Sequence, residues 1–129
     1  MARVPVIQIG GTLIATVLEE LRDSDALDLQ QELGALLERT GARGVLLDLT
    51  VVETVDSFLG RLFHDVAVMA GLLGGMTIVV GIQPAVAMTL VELGLELQGV
   101  RTALTVEKGL VILGRQIAVQ DRRGRHAHH

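Results

Sequence analysis

No charged side chain interrupts the chain between Asp65 and Glu92. A stretch of that kind must either cross a membrane or lie inside a folded core. Val66 to Ile82 holds seventeen residues with Thr77 as the single polar one, close to the lower length of a spanning helix. Two features argue against such a helix. Gly71, Gly74, Gly75 and Gly81 punctuate it, and Thr77-Ile78-Val79-Val80 is a β-branched run suited to a strand. A helix end, a turn and a buried strand are therefore expected, and no membrane span. No charged segment leads into an apolar block and cleavage site at the start of the chain, so no secretory signal is expected.

The 129 residues suit one domain with a real core, and 20% charged residues among plentiful Leu, Val and Ile exclude a disordered chain. With no cysteine, disulfide frameworks, thiolate zinc sites and cysteine nucleophiles are excluded together. A cytoplasmic protein is expected. The net charge of −4 is unevenly spread. Residues 119–129 carry Arg122, Arg123 and Arg125 against Asp121, which makes that end +2 and leaves −6 on the body. An acidic body with only Phe58 and Phe63 as aromatics offers nucleic acid neither a basic surface nor a stacking platform.

Val4 to Ile9 and Thr12 to Leu18 are short, apolar and β-branched, and Gly10-Gly11 joins them as a hairpin turn. Ser24 is the expected cap of a first helix, with Asp25 and Asp28 in its first turn. Ala26, Leu29, Leu33, Leu36 and Leu37 share one side of that helix, and Gly41 stops it. Gly44 to Leu49 is nearly continuous apolar sequence, as expected of a strand covered on both faces. A second helix from Ser57, a strand Met76 to Ile82 and a third helix opened by Pro84 follow. Arg101 to Thr105 predicts a last strand and Val106 to Gln116 a last helix. The order β-β-α-β-α-β-α-β-α predicts an α/β domain with a largely parallel sheet, its first strand pair antiparallel. Residues 1–118 form that domain, and 119–129 a basic, His-containing, disordered tail.

The candidate site is Asp56-Ser57, reached from a buried strand through a short loop. At 100° per residue, Leu59, Leu62, Phe63, Val66, Met69, Ala70 and Leu73 cluster on one side of the helix. Ser57, Arg61, His64 and Asp65 fall on the outward side, joined by Val68 and Leu72. An outward hydroxyl at a helix start is open to a modifying enzyme, and the same N–H groups and dipole suit a phosphate. Asp56 or Ser57 also serves simply as an N-cap, a role that both residue types favour. Val68 and Leu72 beside the hydroxyl suggest a surface made to be covered.

These segments carry a family resemblance. The strand-loop-helix passage ending Asp56-Ser57-Phe58, with Gly81-Ile82-Gln83-Pro84-Ala85-Val86-Ala87, resembles the STAS domain (sulphate transporter and anti-sigma factor antagonist). Within that family it is similar to the single-domain antagonists of bacterial stressosomes, over roughly Val4 to Gln116. The resemblance implies a SpoIIAA-like fold and a non-enzymatic protein that assembles with RsbR-like STAS-domain sensor paralogues. It further implies capture of an RsbT-like serine kinase, which is released on phosphorylation of Ser57, with Asp56 supporting the phosphoacceptor loop. Phe58 after the serine, in place of a small residue, favours the stressosome branch over the simpler anti-sigma factor antagonists, which remain the alternative. Val80 stands where some stressosome sensors carry a second phosphoacceptor threonine. The partner surface expected around the serine is Phe58, Arg61, His64, Val68 and Leu72.

The third helix has two apolar stripes. Val86, Leu90, Leu93 and Leu97 form one; Pro84, Met88, Val91 and Leu95 form the other. A helix apolar on both sides either sits deep or meets another subunit, so Met88, Val91 and Leu95 are the expected self-association surface of a homodimer or larger assembly. Asp48, near a strand's carboxyl end, is where receiver domains hold a phosphoacceptor aspartate. No acidic cluster for magnesium accompanies it, and Asp48 with Thr50 is expected instead to tie down the loop before Ser57. His64 and Asp65 lack a third ligand; His126, His128 and His129 lie in the expected tail, so no metal is expected. Gly10-Gly11 has no following helix to cradle a phosphate, no Ser/His/acid set can be assembled, and no cofactor is expected.

Overall fold

The strands and helices form in the order read from the sequence, while the β-branched passage Thr50 to Val55 stays a loop. The computed structural model describes residues 4–18, 21–94 and 100–127, with side chains described as far as Arg123. The elements are β1 (Val6–Ile9), β2 (Thr12–Thr16), α1 (Asp23–Thr40), β3 (Gly44–Asp48), α2 (Ser57–Leu72), β4 (Met76–Val80), α3 (Pro84–Glu92), β5 (Val100–Ala103) and α4 (Val106–Ala127).

The five strands lie side by side in sequence order. β1 runs antiparallel to β2, with Val6 opposite Ala15, and the later pairs are parallel, aligning Thr16 with Asp48 and Asp48 with Val80. Right-handed crossovers between sequential parallel strands put α1, α2 and α3 on one face. There Leu13, Ala15, Val45, Leu47 and Val79 meet Leu29, Leu33, Phe63, Val66 and Val86. The opposite face, built of Ile14, Leu46, Ile78 and Val80, is closed by Leu113 of α4. α4 lies close to the sheet because Gly109 has no side chain. A Cβ there would come within 2.8 Å of Leu46 Cδ1 and Val80 Cγ1.

The uncharged stretch divides as expected: α2 ends at Leu72, Gly74 turns the chain at φ +81°, and β4 begins at Met76. Among the described residues no helix is long and apolar enough to cross a membrane. Several boundaries differ from the sequence reading: β1, β2 and β4 are shorter than Val4–Ile9, Thr12–Leu18 and Met76–Ile82, and β5 is Val100–Ala103 rather than Arg101–Thr105. α1 starts at Asp23 rather than after a Ser24 cap, because the Asp25 carboxylate accepts the Arg22 backbone N–H at 3.1 Å and closes the helix start two residues earlier. Leu73, expected in the core, is the C-cap of α2 and half-exposed, since the chain turns away from the sheet there. The last helix does not stop near Gln116 but continues to Ala127, into the segment expected to be a disordered tail. Arg43, at the start of β3, bonds Asp121 and Gln120 and holds that continuation against the domain. Leu95 and Leu97, in the two apolar stripes, and His128 and His129 lie outside the described residues.

Candidate functional site

Both sequence motifs meet beyond the carboxyl ends of β3 and β4. The Asp48 carboxylate accepts the Thr50 backbone N–H at 3.0 Å and the Thr50 hydroxyl at 2.5 Å, a turn that redirects the chain as it leaves the sheet. Leu49 N–H still donates to the Val80 carbonyl at 2.9 Å, so the ladder runs one residue past the strand. Gly81 faces this turn at φ +73°, and a Cβ on it would fall 2.4 Å from Thr50 Oγ1. Gln83 then donates from Nε2 to the Thr50 carbonyl at 2.8 Å. The β3–α2 loop is thereby clamped onto the β4–α3 turn. Gly81 and Gln83 thus join the site, beyond the residues expected there from the sequence. A glycine and a long polar side chain just before the helix-opening Pro84 were the available signals.

The rest of the loop is anchored by Val52, which is buried, and Val55, which packs on the core edge. Asp56 takes extended backbone angles, and its carboxylate accepts the Leu59 N–H at 2.9 Å. Asp56 is the N-cap of α2. Ser57 is the first helical residue, and its side chain is exposed. Of the two residues considered for the capping role, Asp56 performs it and Ser57 does not.

Down the outer face of α2, Arg61, His64, Val68 and Leu72 follow Ser57 at helical spacing, all exposed. Leu72 is 83% exposed, and Val68 is half-exposed. Phe58 is different. It is half-buried against the core and forms a wall shared by two clefts, one on either side of the α2 start. The first, of about 190 Å³, lies between α1 and α2 and brings in Asp23, Arg61 and Asp65. The second, of about 310 Å³, is bounded by Leu18, Leu21, Val52 and Val55 and reaches Asp56.

Other candidates sit apart from this surface. Met88 and Val91 are exposed on α3, whereas Val86 and Leu90 of the other stripe are buried. Val80 is fully buried on the α4 side of the sheet. Among the described residues no three His, Asp or Glu side chains come together in a way that could hold a metal ion. Asp48 is half-buried with one carboxylate oxygen already accepting from Thr50.

A five-stranded mixed sheet thus carries a capped helix start beyond β3, clamped to a Gly-Ile-Gln-Pro turn, the arrangement of one α/β domain class. The STAS domain model matches residues 3–109, and the chain belongs to the STAS family. Its structure is similar to that of a serine-to-glutamate variant of Moorella thermoacetica RsbS. The two share 33% identity over 91% of this chain and 99% of that one, with a TM-score of 0.79. A chain of the stressosome, described as a signal integration and transduction hub, is 36% identical over 88% of this chain and 98% of its own, with a TM-score of 0.73. In sequence the chain is 35% identical, over 66 residues, to the Bacillus subtilis (strain 168) RsbT co-antagonist protein RsbRA. It spans about a quarter of the length of the curated relatives it matches, 24% and 26%. The chain has a STAS fold like that of RsbS.

Proposed function

We propose that this chain is a non-enzymatic, phosphorylation-switched scaffold of bacterial stress signalling. In this reading it assembles in the cytoplasm with RsbR-like STAS paralogues into a stressosome and sequesters an RsbT-like serine kinase. Phosphorylation of Ser57 by that kinase releases it. The observation that carries the reading is the division of labour at the start of α2. Asp56 satisfies the helix end, so the Ser57 hydroxyl has no structural duty and stands exposed beside Phe58 and the Arg61–His64–Val68–Leu72 face.

Phosphate adds about −1.5 to −2 charges and three acceptor oxygens. At a helix N-terminus it leaves the helix intact, since negative charge is favourable there. Its effect falls instead on a protein packed over Ser57, Val68 and Leu72, where an uncompensated buried charge costs several kcal/mol. Asp48, Thr50 and Gln83 hold the loop so that the hydroxyl is presented in one position. The exposed Met88 and Val91 of α3 supply a further apolar contact for the assembly.

The test is intact-mass analysis after incubation with the cognate serine kinase, ATP and magnesium, with the site mapped. One added phosphate on Ser57, absent from Ser57→Ala, is expected. No phosphate from a kinase that is active on another substrate overturns the switch. Mixing with RsbR-like paralogues distinguishes the stressosome scaffold from a simple anti-sigma factor antagonist, because only the scaffold forms megadalton particles.

A further inference from the structure

The outer face of α2 places an arginine one helical turn from the candidate phosphosite. Arg61 lies four residues after Ser57 on the same side of the helix, and both side chains are exposed. Cβ atoms at that spacing are about 5–6 Å apart, and the Cα–Cβ bond of Arg61 tilts toward the helix N-terminus, where Ser57 stands. Arg61 also lines the cleft between α1 and α2, together with Asp23, Phe58 and Asp65. Neither carboxylate holds it: among the described residues its guanidinium has no hydrogen bond or ion pair. The helix start is only half satisfied. Leu59 N–H donates to the Asp56 carboxylate and Gly60 N–H to the Asp56 carbonyl, while the N–H groups of Ser57 and Phe58 have no acceptor within the helix.

We infer that Arg61 holds the phosphate once Ser57 is phosphorylated, its guanidinium swinging out of the cleft to bond two phosphate oxygens side by side. This role of Arg61 rests on the phosphorylation proposed above. A guanidinium is a planar fork that matches phosphate, and an anion followed by a cation four residues later is the favourable order along a helix. Asp65, four residues after Arg61, stands in the weaker reverse order. Phosphate also carries more charge than either carboxylate, about −2 against −1. Two surfaces change as a result. The Ser57–Arg61 pair goes from +1 to about −1, and the cleft keeps Asp23 and Asp65 without their neighbouring cation. An acidic group of a docked protein that faces Arg61 loses its counter-ion when the phosphate arrives.

The full chain with phosphoserine incorporated at Ser57 during translation needs no kinase, so failure of this role is separate from failure of Ser57 as a kinase substrate. The second phosphate ionisation is followed by phosphorus NMR in the wild-type background and in Arg61→Gln, Arg61→Lys and Arg22→Gln. The other charged and titratable groups about the helix start are Glu53, Asp56, His64 and Asp65, with Arg22 and Asp23 at the head of α1. The carboxylates oppose ionisation in every variant, and His64, about 10 Å further along the helix, is common to all. The phosphate pKa is expected about half a pH unit lower with Arg61 than in Arg61→Gln, with Arg61→Lys between them and Arg22→Gln unchanged. The Arg61 Nε–H resonance, identified by its loss in Arg61→Gln, should move on phosphorylation. A double-mutant cycle on the melting temperature gives an independent reading: Ser57→Glu combined with Arg61→Gln should lose more than the two single changes add up to. Equal phosphate pKa values with and without Arg61, an equal rise in Arg22→Gln, an unmoved Arg61 resonance or an additive cycle overturns the role.

Discussion

At the start of α2 two adjacent polar residues have separate duties, and their substitutions should separate cleanly. Asp56→Ala removes the acceptor of the Leu59 N–H and is expected to cost about 1 kcal/mol, seen as a melting temperature several degrees lower. Ser57→Ala removes an exposed hydroxyl and should leave the melting temperature within error. Equal losses in the two variants would show that Ser57 shares the cap. Thr77 gives the opposite case. Its hydroxyl is buried on the helical side of the sheet without a hydrogen-bond partner, a burden of about 1–3 kcal/mol. Thr77→Val keeps the shape, and a higher denaturant midpoint is expected; a lower one would mean that the hydroxyl has a partner in solution. Gly81→Ala combines an unfavourable positive φ with a collision against Thr50 and should both destabilise the domain and loosen the loop before Ser57. Proteolysis between Thr50 and Asp56 would report the loosening.

Among the elements, those set by local chemistry were legible and those set by distant contacts were not. β-branched runs, Gly41 at the end of α1 and Pro84 at the start of α3 mark their elements from the sequence alone. So did the Asp48–Thr50 turn, whose partners are two residues apart. The Gln83–Thr50 bond joins residues 33 apart, and the Arg43 pairing with Asp121 spans 78. Neither has a periodic signal. For the same reason the end of α4 is not legible locally: polar Gln120, Asp121 and Arg122 look like a frayed terminus until Arg43 is placed beside them. That ion pair is exposed, so Arg43→Ala should cost less than about 1 kcal/mol. Gly109→Val should cost more, about 1–3 kcal/mol, because it pushes α4 off Leu46 and Val80. Comparing the two by chemical denaturation tests whether packing at Gly109 or the clasp at Arg43 seats the helix.

For the whole molecule, the candidate phosphosite lies apart from the edges of the sheet. Ser57 sits beyond the carboxyl ends of the strands, while β1 lies at a lateral edge of the same sheet. In the proposed reading a phosphate changes what docks over α2 without altering the sheet. The Ser57-phosphorylated protein should therefore melt close to the unmodified one while its affinity for the kinase changes by at least tenfold, about 1.4 kcal/mol. Equal affinities, measured by calorimetry, would remove phosphorylation as the release signal.

Sequential strand order also dictates how the chain must be made. Each strand joins a neighbour already synthesised, so the sheet and its three-helix side can build up as the polypeptide lengthens. Among the described residues α4 alone covers the other side, and it is translated only after all five strands. Until it arrives, Ile14, Leu46, Ile78 and Val80 present a bare apolar surface to the crowded cell. During that interval the nascent protein would depend on chaperones, and a ribosome stalled between β5 and α4 would carry an aggregation-prone sheet.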